Sequence, residues 1–285
     1  MFLSRLSIFN GFQRGENVRA EPIDYMPASV KHLKEFATLS ADIIKFEVNL
    51  DQDNQAKTIM NFSRALYEMP PAFQTFFLQN TPDVKICDLA GDAGEWFRGE
   101  LAIDPQSRYG IKGISRIFYH ELGHQIDEYC FDFLKPGELN IMGPGIKNRR
   151  VESPVGIAMR AELKSRGFDF DKMSSRENGI SALKGVFGKK VFDSSMNIET
   201  FLVFVGHNSL DAATGHYSET FAEMIANYLM VYARERGNES AVRRILADKY
   251  PILYPAFERH VINKLSDQTE ARRQKLELFS KRYLT

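Results

Sequence analysis

Residues 119–124 have the sequence Tyr-His-Glu-Leu-Gly-His, and the stretch 112–134 around them predicts the clearest helix in the chain. The motif places His120 and His124 four residues apart, with Glu121 between them. Histidines at i and i+4 lie one turn apart on the same helical face, so both imidazoles can reach one metal ion. Glu121 lies beside that face, where it can accept a proton from a water that zinc activates. The motif therefore predicts a zinc site with hydrolytic chemistry.

The helical wheel of this segment separates the motif from the predicted core. At about 100° per residue, the side chains of His120, Glu121, His124 and Asp127 fall within about 120° of one another. The opposite side is apolar and carries Phe118, Leu122, Ile126, Tyr129, Cys130 and Phe133. A chance occurrence of the motif often mixes the two faces. The separation therefore favours a functional site over two ordinary hydrogen-bonded histidines on a half-buried helix.

A zinc protease needs a third protein ligand and leaves one position for water. The continuation His-x-x-Gly-x-x-His is absent, since positions 127 and 130 are Asp and Cys. Residues 218–232 predict a second helix, on which Glu219 and Glu223 share a face with two alanines that allow close approach. Two acidic groups bordering an apolar face need a partner, and a cation bound by two histidines is one. The alternative is that Glu219 is only a favourable charge at a helix N-terminus. The other ligand candidates nearby are His207, Asp211 and His216.

The whole pattern predicts an α+β protein dominated by helices. Helices are expected at 28–48, 55–68, 71–78, 155–166, 218–233, 239–249, 254–265 and 268–283, and strands at 84–89 and 96–104. Residues 135–153 are rich in Pro and Gly and predict a loop, whereas 174–200 predict no clear element. The alternating strand 96–104 is expected to offer an edge on which an extended peptide can pair.

Charge and hydropathy exclude several classes of partner. Lys plus Arg and Asp plus Glu both number 37, which argues against nucleic acid or an anionic membrane as the main partner. The longest apolar runs are only a few residues, far short of the ~20 needed for a membrane span. Residues 1–9 lack the continuous apolar core of a secretory signal peptide. The two cysteines, Cys87 and Cys130, are expected to be small core residues rather than a disulfide framework or a metal knuckle.

The segments 120–129 and 219–223, with the sequences His-Glu-Leu-Gly-His-Gln-Ile-Asp-Glu-Tyr and Glu-Thr-Phe-Ala-Glu, resemble the catalytic domain of the anthrax lethal factor family. That family also includes secreted clostridial Pro-Pro endopeptidases. The resemblance covers roughly residues 65–265. It implies a zincin-like domain over residues 21–285, in which a small mixed sheet packs on the metal-binding helix, preceded by an N-terminal arm at residues 1–20.

Carried over residue by residue, the resemblance implies zinc bound by His120, His124 and Glu219, with Glu121 as general base. Asp127 and Glu223 are then expected to orient the histidine ligands from behind. The chain departs from the family in two ways. The segment between His124 and Glu219 is longer, which implies an insertion within 135–210. The family's oxyanion-stabilising Tyr, seven residues before the third ligand, is replaced by Ala212. This leaves Tyr217 and His216 as candidates for that catalytic role.

The resulting functional hypothesis is a zinc-dependent metalloendopeptidase acting on a protein substrate. The resemblance implies a bacterial effector or toxin that acts on a host protein. Because no signal peptide is seen, delivery by a specialised secretion system is expected. A catalytically silent zinc-binding interaction module is the alternative, although such a module has no use for a base at Glu121. A hydrolase of non-peptidic substrates is a third hypothesis.

Overall fold

The computed structural model describes residues 27–81, 83–97, 100–107, 109–131, 153–167 and 217–267. Within these ranges, the side chains of residues 27–33, 97, 128, 131 and 217–220 are not described. The predicted arm at 1–20, most of the insertion 135–210 and the predicted helix 268–283 lie outside the described residues. So do His207, Asp211 and His216.

Helices dominate the described part of the chain. In chain order the elements are α1 (Pro27–Ile43), β1 (Ile44–Phe46), α2 (Gln52–Glu68), α3 (Pro71–Asn80), β2 (Val84–Ile86), β3 (Gly94–Phe97), β4 (Glu100–Ile103), a 3-10 turn (Ile111–Gly113), α4 (Ile114–Phe131), α5 (Pro154–Ser165), α6 (Tyr217–Arg234), α7 (Glu239–Lys249), α8 (Leu253–Phe257) and a π-helical turn (Glu258–Ile262). The expected combination of helices and a small mixed sheet is confirmed. Among the described helices, none is long and apolar enough to cross a membrane.

Local sequence signals explain where several helices begin. The Asp51 carboxylate accepts a hydrogen bond from the Asn54 N–H at 2.8 Å, which caps α2. α3 starts at Pro71, because a proline ring fixes φ and needs no amide partner in the first turn. Ser153 and Asn238 cap α5 and α7 in the same way as Asp51. These boundaries lie within a few residues of the predicted ones.

The four strands form one sheet in the order β1-β2-β4-β3. β1, β2 and β4 are parallel, with Ile44 opposite Val84 and Val84 opposite Leu101. β3 runs antiparallel to β4 and occupies one edge of the sheet. The side chains of Val84 and Leu101 are fully buried, and the sheet and the helices share one apolar core. Among the described strands, β3 is therefore an antiparallel edge strand that pairs only with β4.

One helix prediction and one strand prediction are wrong. The first helix does not reach residue 48, because the chain leaves the helix at Ile43 and residues 44–46 pair with β2. Pairing with a distant strand outweighs a helical apolar spacing that continues into these residues. The expected single strand 96–104 is instead a hairpin, in which Phe97 pairs with Glu100. Period-two alternation continues through both arms, so the alternation does not mark the reversal of the chain.

Candidate metal centre

Helix α4 carries the motif, and its apolar face packs as the wheel predicts. Phe118, Leu122 and Ile126 are fully buried. The Phe118 ring centre lies 4.4 Å from that of Phe62 on α2 and 4.9 Å from that of Phe77 on α3. Aromatic rings at these distances and tilted to each other attract beyond simple area burial. The apolar side of α4 is thus fixed, so its opposite side is held in a defined orientation.

Polar bonds fix α4 along its length as well. The Tyr119 hydroxyl donates to the Ala65 carbonyl on α2 at 2.8 Å, in the core. The buried Thr81 hydroxyl hydrogen-bonds the Gln125 side-chain oxygen at 2.9 Å. At the C-terminus of α4, the Lys264 ammonium donates to the Cys130 carbonyl at 2.6 Å, where a cation also complements the helix dipole. The motif therefore lies on a helix held at three points.

The imidazoles of His120 and His124 are adjacent and accessible. Their ring centres lie 4.9 Å apart with the planes at 84°, and both side chains are partly exposed. Two imidazoles bound tetrahedrally to one zinc, each through a nitrogen at about 2.0–2.1 Å, would have ring centres about 5 Å apart. The observed distance between the ring centres matches this value.

Glu121 is buried beneath the edge strand. Its side chain is 5% exposed, although it lies on the polar face of α4. The neighbouring strand residue is Gly94: a β-carbon there would be 2.7 Å from Glu121 Oε1, closer than real β-carbons come. The backbone of β3 thus covers the carboxylate directly. A carboxylate in such a position is shielded from water on the strand side while the adjacent histidines remain accessible.

Glu223 on α6 lies close to His120 of the motif. Its carboxylate is held by Arg116, whose Nη2 donates to Oε1 at 2.9 Å and to Oε2 at 2.8 Å. Oε1 lies 4.0 Å from His120 Nδ1, which is close but too long for a hydrogen bond. The structure therefore places Glu223 near His120, but both of these hydrogen bonds to its carboxylate come from Arg116. Asp127, the other residue expected to orient a histidine, lies on α4 with His120 and is 1% exposed.

The expected third ligand lies at the edge of the described region. Glu219 is in the first turn of α6, and its side chain, like that of Tyr217, is not described. Among the side chains that are described, no group of three His, Cys, Asp or Glu residues could hold a metal. Cys130 is no substitute, because it is buried in the core on the apolar side of α4, away from the two histidines. Glu219 as ligand and Tyr217 and His216 as catalytic residues stay predictions.

Helices α4 and α6 cross at backbone contact. A β-carbon at Gly123 would lie 2.6 Å from Ala222 Cα and 2.9 Å from the Ala222 carbonyl oxygen. Glycine inside the motif therefore allows α6 to approach α4 closely, and Ala222 contributes the small partner. Glu219 lies in the first turn of α6, which precedes this crossing in the chain.

Sequence reasoning missed two residues of this centre. Arg116 lies one turn before His120 on the same face of α4. An arginine at this spacing from the motif is the sequence signal that could have indicated its place in the centre. Gly94 carries no such signal, since only the folded structure shows that β3 runs across Glu121.

A cavity of about 470 Å³ elsewhere is lined by Pro70, Tyr228 and Arg243 among others, and none of the motif residues borders it.

Comparison of the chain with protein-family models, with curated proteins and with solved structures gives no match in any of the three.

Proposed function

We propose that this chain is a zinc-dependent metalloendopeptidase with a zincin-like arrangement of its catalytic helix and edge strand. The observation that carries the proposal is the position of Glu121, on the helix that carries the two adjacent imidazoles and beneath the edge strand β3. A structural zinc site needs neither a carboxylate beside the ligands nor a strand edge next to it. Together they are what hydrolysis of an extended peptide requires.

His120 and His124 would hold the metal, with Glu219 as the third ligand. Zinc bound there would supply Lewis-acid chemistry and would lower the pKa of a water at the site towards neutrality. Glu121 would accept the proton of the attacking water and would then donate it to the leaving amine. Arg116 holds the Glu223 carboxylate 4.0 Å from His120 Nδ1. The resemblance of the motif segments to the anthrax lethal factor family extends the proposal to a bacterial effector or toxin that acts on a host protein.

The orientation of β3 supports a peptide as substrate. The Asp104 N–H donates to the Ala93 carbonyl at 2.9 Å, so the backbone groups of Ala93 point towards β4. Backbone directions alternate along a strand, and the N–H and C=O of Gly94 and Trp96 therefore point away from the sheet. An extended peptide can pair with these groups by strand addition. The peptide-binding edge is then formed by residues 94–97, rather than by the whole segment 96–104 expected from sequence.

The test is cleavage of a proteome-derived peptide library by the full-length protein with zinc added, compared with Glu121→Ala. We expect cleavage by the wild type that a chelator abolishes and zinc restores, and none by the variant. If the wild type binds zinc and cleaves nothing, the chain is the silent interaction module instead. Equal cleavage by both proteins would contradict the role of Glu121.

A further inference from the structure

The contact between Gly94 and helix α4 is closer than any side chain permits. A β-carbon at Gly94 would lie 2.6 Å from Ile117 Cγ2, 2.7 Å from Glu121 Oε1 and 2.8 Å from Glu121 Cγ. All three separations are below 3.0 Å, a distance that real β-carbons essentially never show. Any residue other than glycine would force β3 and α4 apart, or turn Glu121 away.

Backbone conformation does not explain the glycine. Gly94 does not have a positive φ, unlike Gly91 in the preceding turn, where φ is 115°. It lies in a regular antiparallel strand, opposite Ile103. Glycine usually weakens a strand, so its presence here points to close approach of another group. That group is the side chain of Glu121, together with the methyl group of Ile117.

We propose that Gly94 is a positioning residue that sets the distance between the peptide-binding edge of β3 and the Glu121 carboxylate. The inference rests on the proposed function for its catalytic meaning. The backbone of Gly94 points towards the substrate edge, while the missing side chain faces Glu121. One residue thus fixes both the peptide and the base that serves it. Misplacement by about 1 Å at such a site can lower turnover by about a hundredfold.

The edge strand is the element that moves when a side chain is added. β3 is paired to β4 alone among the described strands, whereas α4 is packed against α2 and α6. Gly94→Ala therefore lifts β3 from α4. Trp96, two residues along on β3 and the only tryptophan in the chain, reports this movement through its fluorescence.

The test is a double-mutant cycle on the full-length protein, read first by urea unfolding of the zinc-free form. Gly94→Ala is expected to lower the unfolding midpoint and shift the Trp96 emission maximum. In the Glu121→Ala background both shifts become smaller, because two of the three close atoms belong to the removed side chain. Gly91→Ala is the matched control. It strains the backbone at positive φ but has nothing within 4 Å, so its effect is the same in both backgrounds.

The catalytic part is read by kinetics and metal binding. Gly94→Ala should lower kcat by at least about tenfold, while zinc affinity is retained because neither histidine is among its close contacts. Equal midpoint shifts in both backgrounds, or an unchanged kcat, would overturn the proposal. If Gly94→Ala does not fold, Gly94→Ala with Glu121→Ala should fold, and its failure would also overturn it. A wild type without peptidase activity would refute the proposed function, while the unfolding cycle still decides whether Gly94 positions Glu121.

Discussion

Helix α4 is approached by a glycine contact on each of two sides, and the two contacts differ in kind. At the crossing with α6, the space left by Gly123 is filled by the backbone of Ala222. At the edge strand, the space left by Gly94 is filled by the side chains of Glu121 and Ile117. A backbone clash cannot be relieved by shortening a neighbour, whereas a side-chain clash can. The first contact therefore fixes the scaffold, and the second adjusts the reactive group on it.

The largest effect is expected at the crossing. Gly123→Ala gains about 1 kcal/mol of helix propensity, but overpacking against the Ala222 backbone costs about 1–3 kcal/mol or more. We expect a net loss of stability, and weaker zinc binding because α6 moves away from the histidines. Urea unfolding and zinc titration measure both. Adding Ala222→Gly should not rescue the variant, because the clashing atoms are Cα, C and O. Rescue would show that the crossing is a side-chain contact like that of Gly94.

The next largest effect is expected at the proposed third ligand. Glu219→Ala should lose zinc at micromolar free metal if, as we propose, α6 supplies the third ligand from its first turn. His207→Ala and His216→Ala are the controls, and both should retain the metal. Elemental analysis of the purified variants decides between them. Retention of zinc by Glu219→Ala, with loss in either histidine variant, would transfer the third ligand to the segment before α6.

A smaller effect is expected behind His120. Arg116→Gln removes the cation that holds Glu223, so the carboxylate is no longer fixed in place beside His120. Groups of this kind typically contribute about 10- to 100-fold in metal affinity, and we expect the lower end. Arg166→Gln is the matched control. Arg166 forms an ion pair with the buried Glu162, with 2.9 Å between Nη2 and Oε1, and neither residue belongs to the motif. It should lower stability without changing zinc affinity. Equal zinc affinities for wild type and Arg116→Gln would leave the Arg116–Glu223 pair a purely structural link.

The sequence predicts the parts of this centre that depend on local spacing. His120, Glu121 and His124 follow from the helical period, and the burial of Leu122 and Ile126 opposite them follows from the same wheel. The helix-dominated fold follows because most helix boundaries carry local signals such as Asp51 and Pro71.

The parts that depend on tertiary contact could not be predicted. β1 forms because Ile44 pairs with Val84, forty residues later in the chain. The bond from Arg116 to Glu223 joins two helices across an even longer separation. Gly94 lies against Glu121 only after β3 has folded back on β4. No period or composition in the sequence encodes these distances.

The central claim is that the two histidines hold the metal while Glu121 acts on the water without binding zinc. Zinc affinity, measured by competition with a chromophoric chelator, tests it in wild type, His120→Ala and Glu121→Gln. We expect one zinc per chain in the wild type and none in His120→Ala. Glu121→Gln should bind zinc with unchanged affinity and lose about 10²- to 10⁴-fold in peptide cleavage. Loss of zinc in Glu121→Gln, or retention of zinc in His120→Ala, would contradict the account.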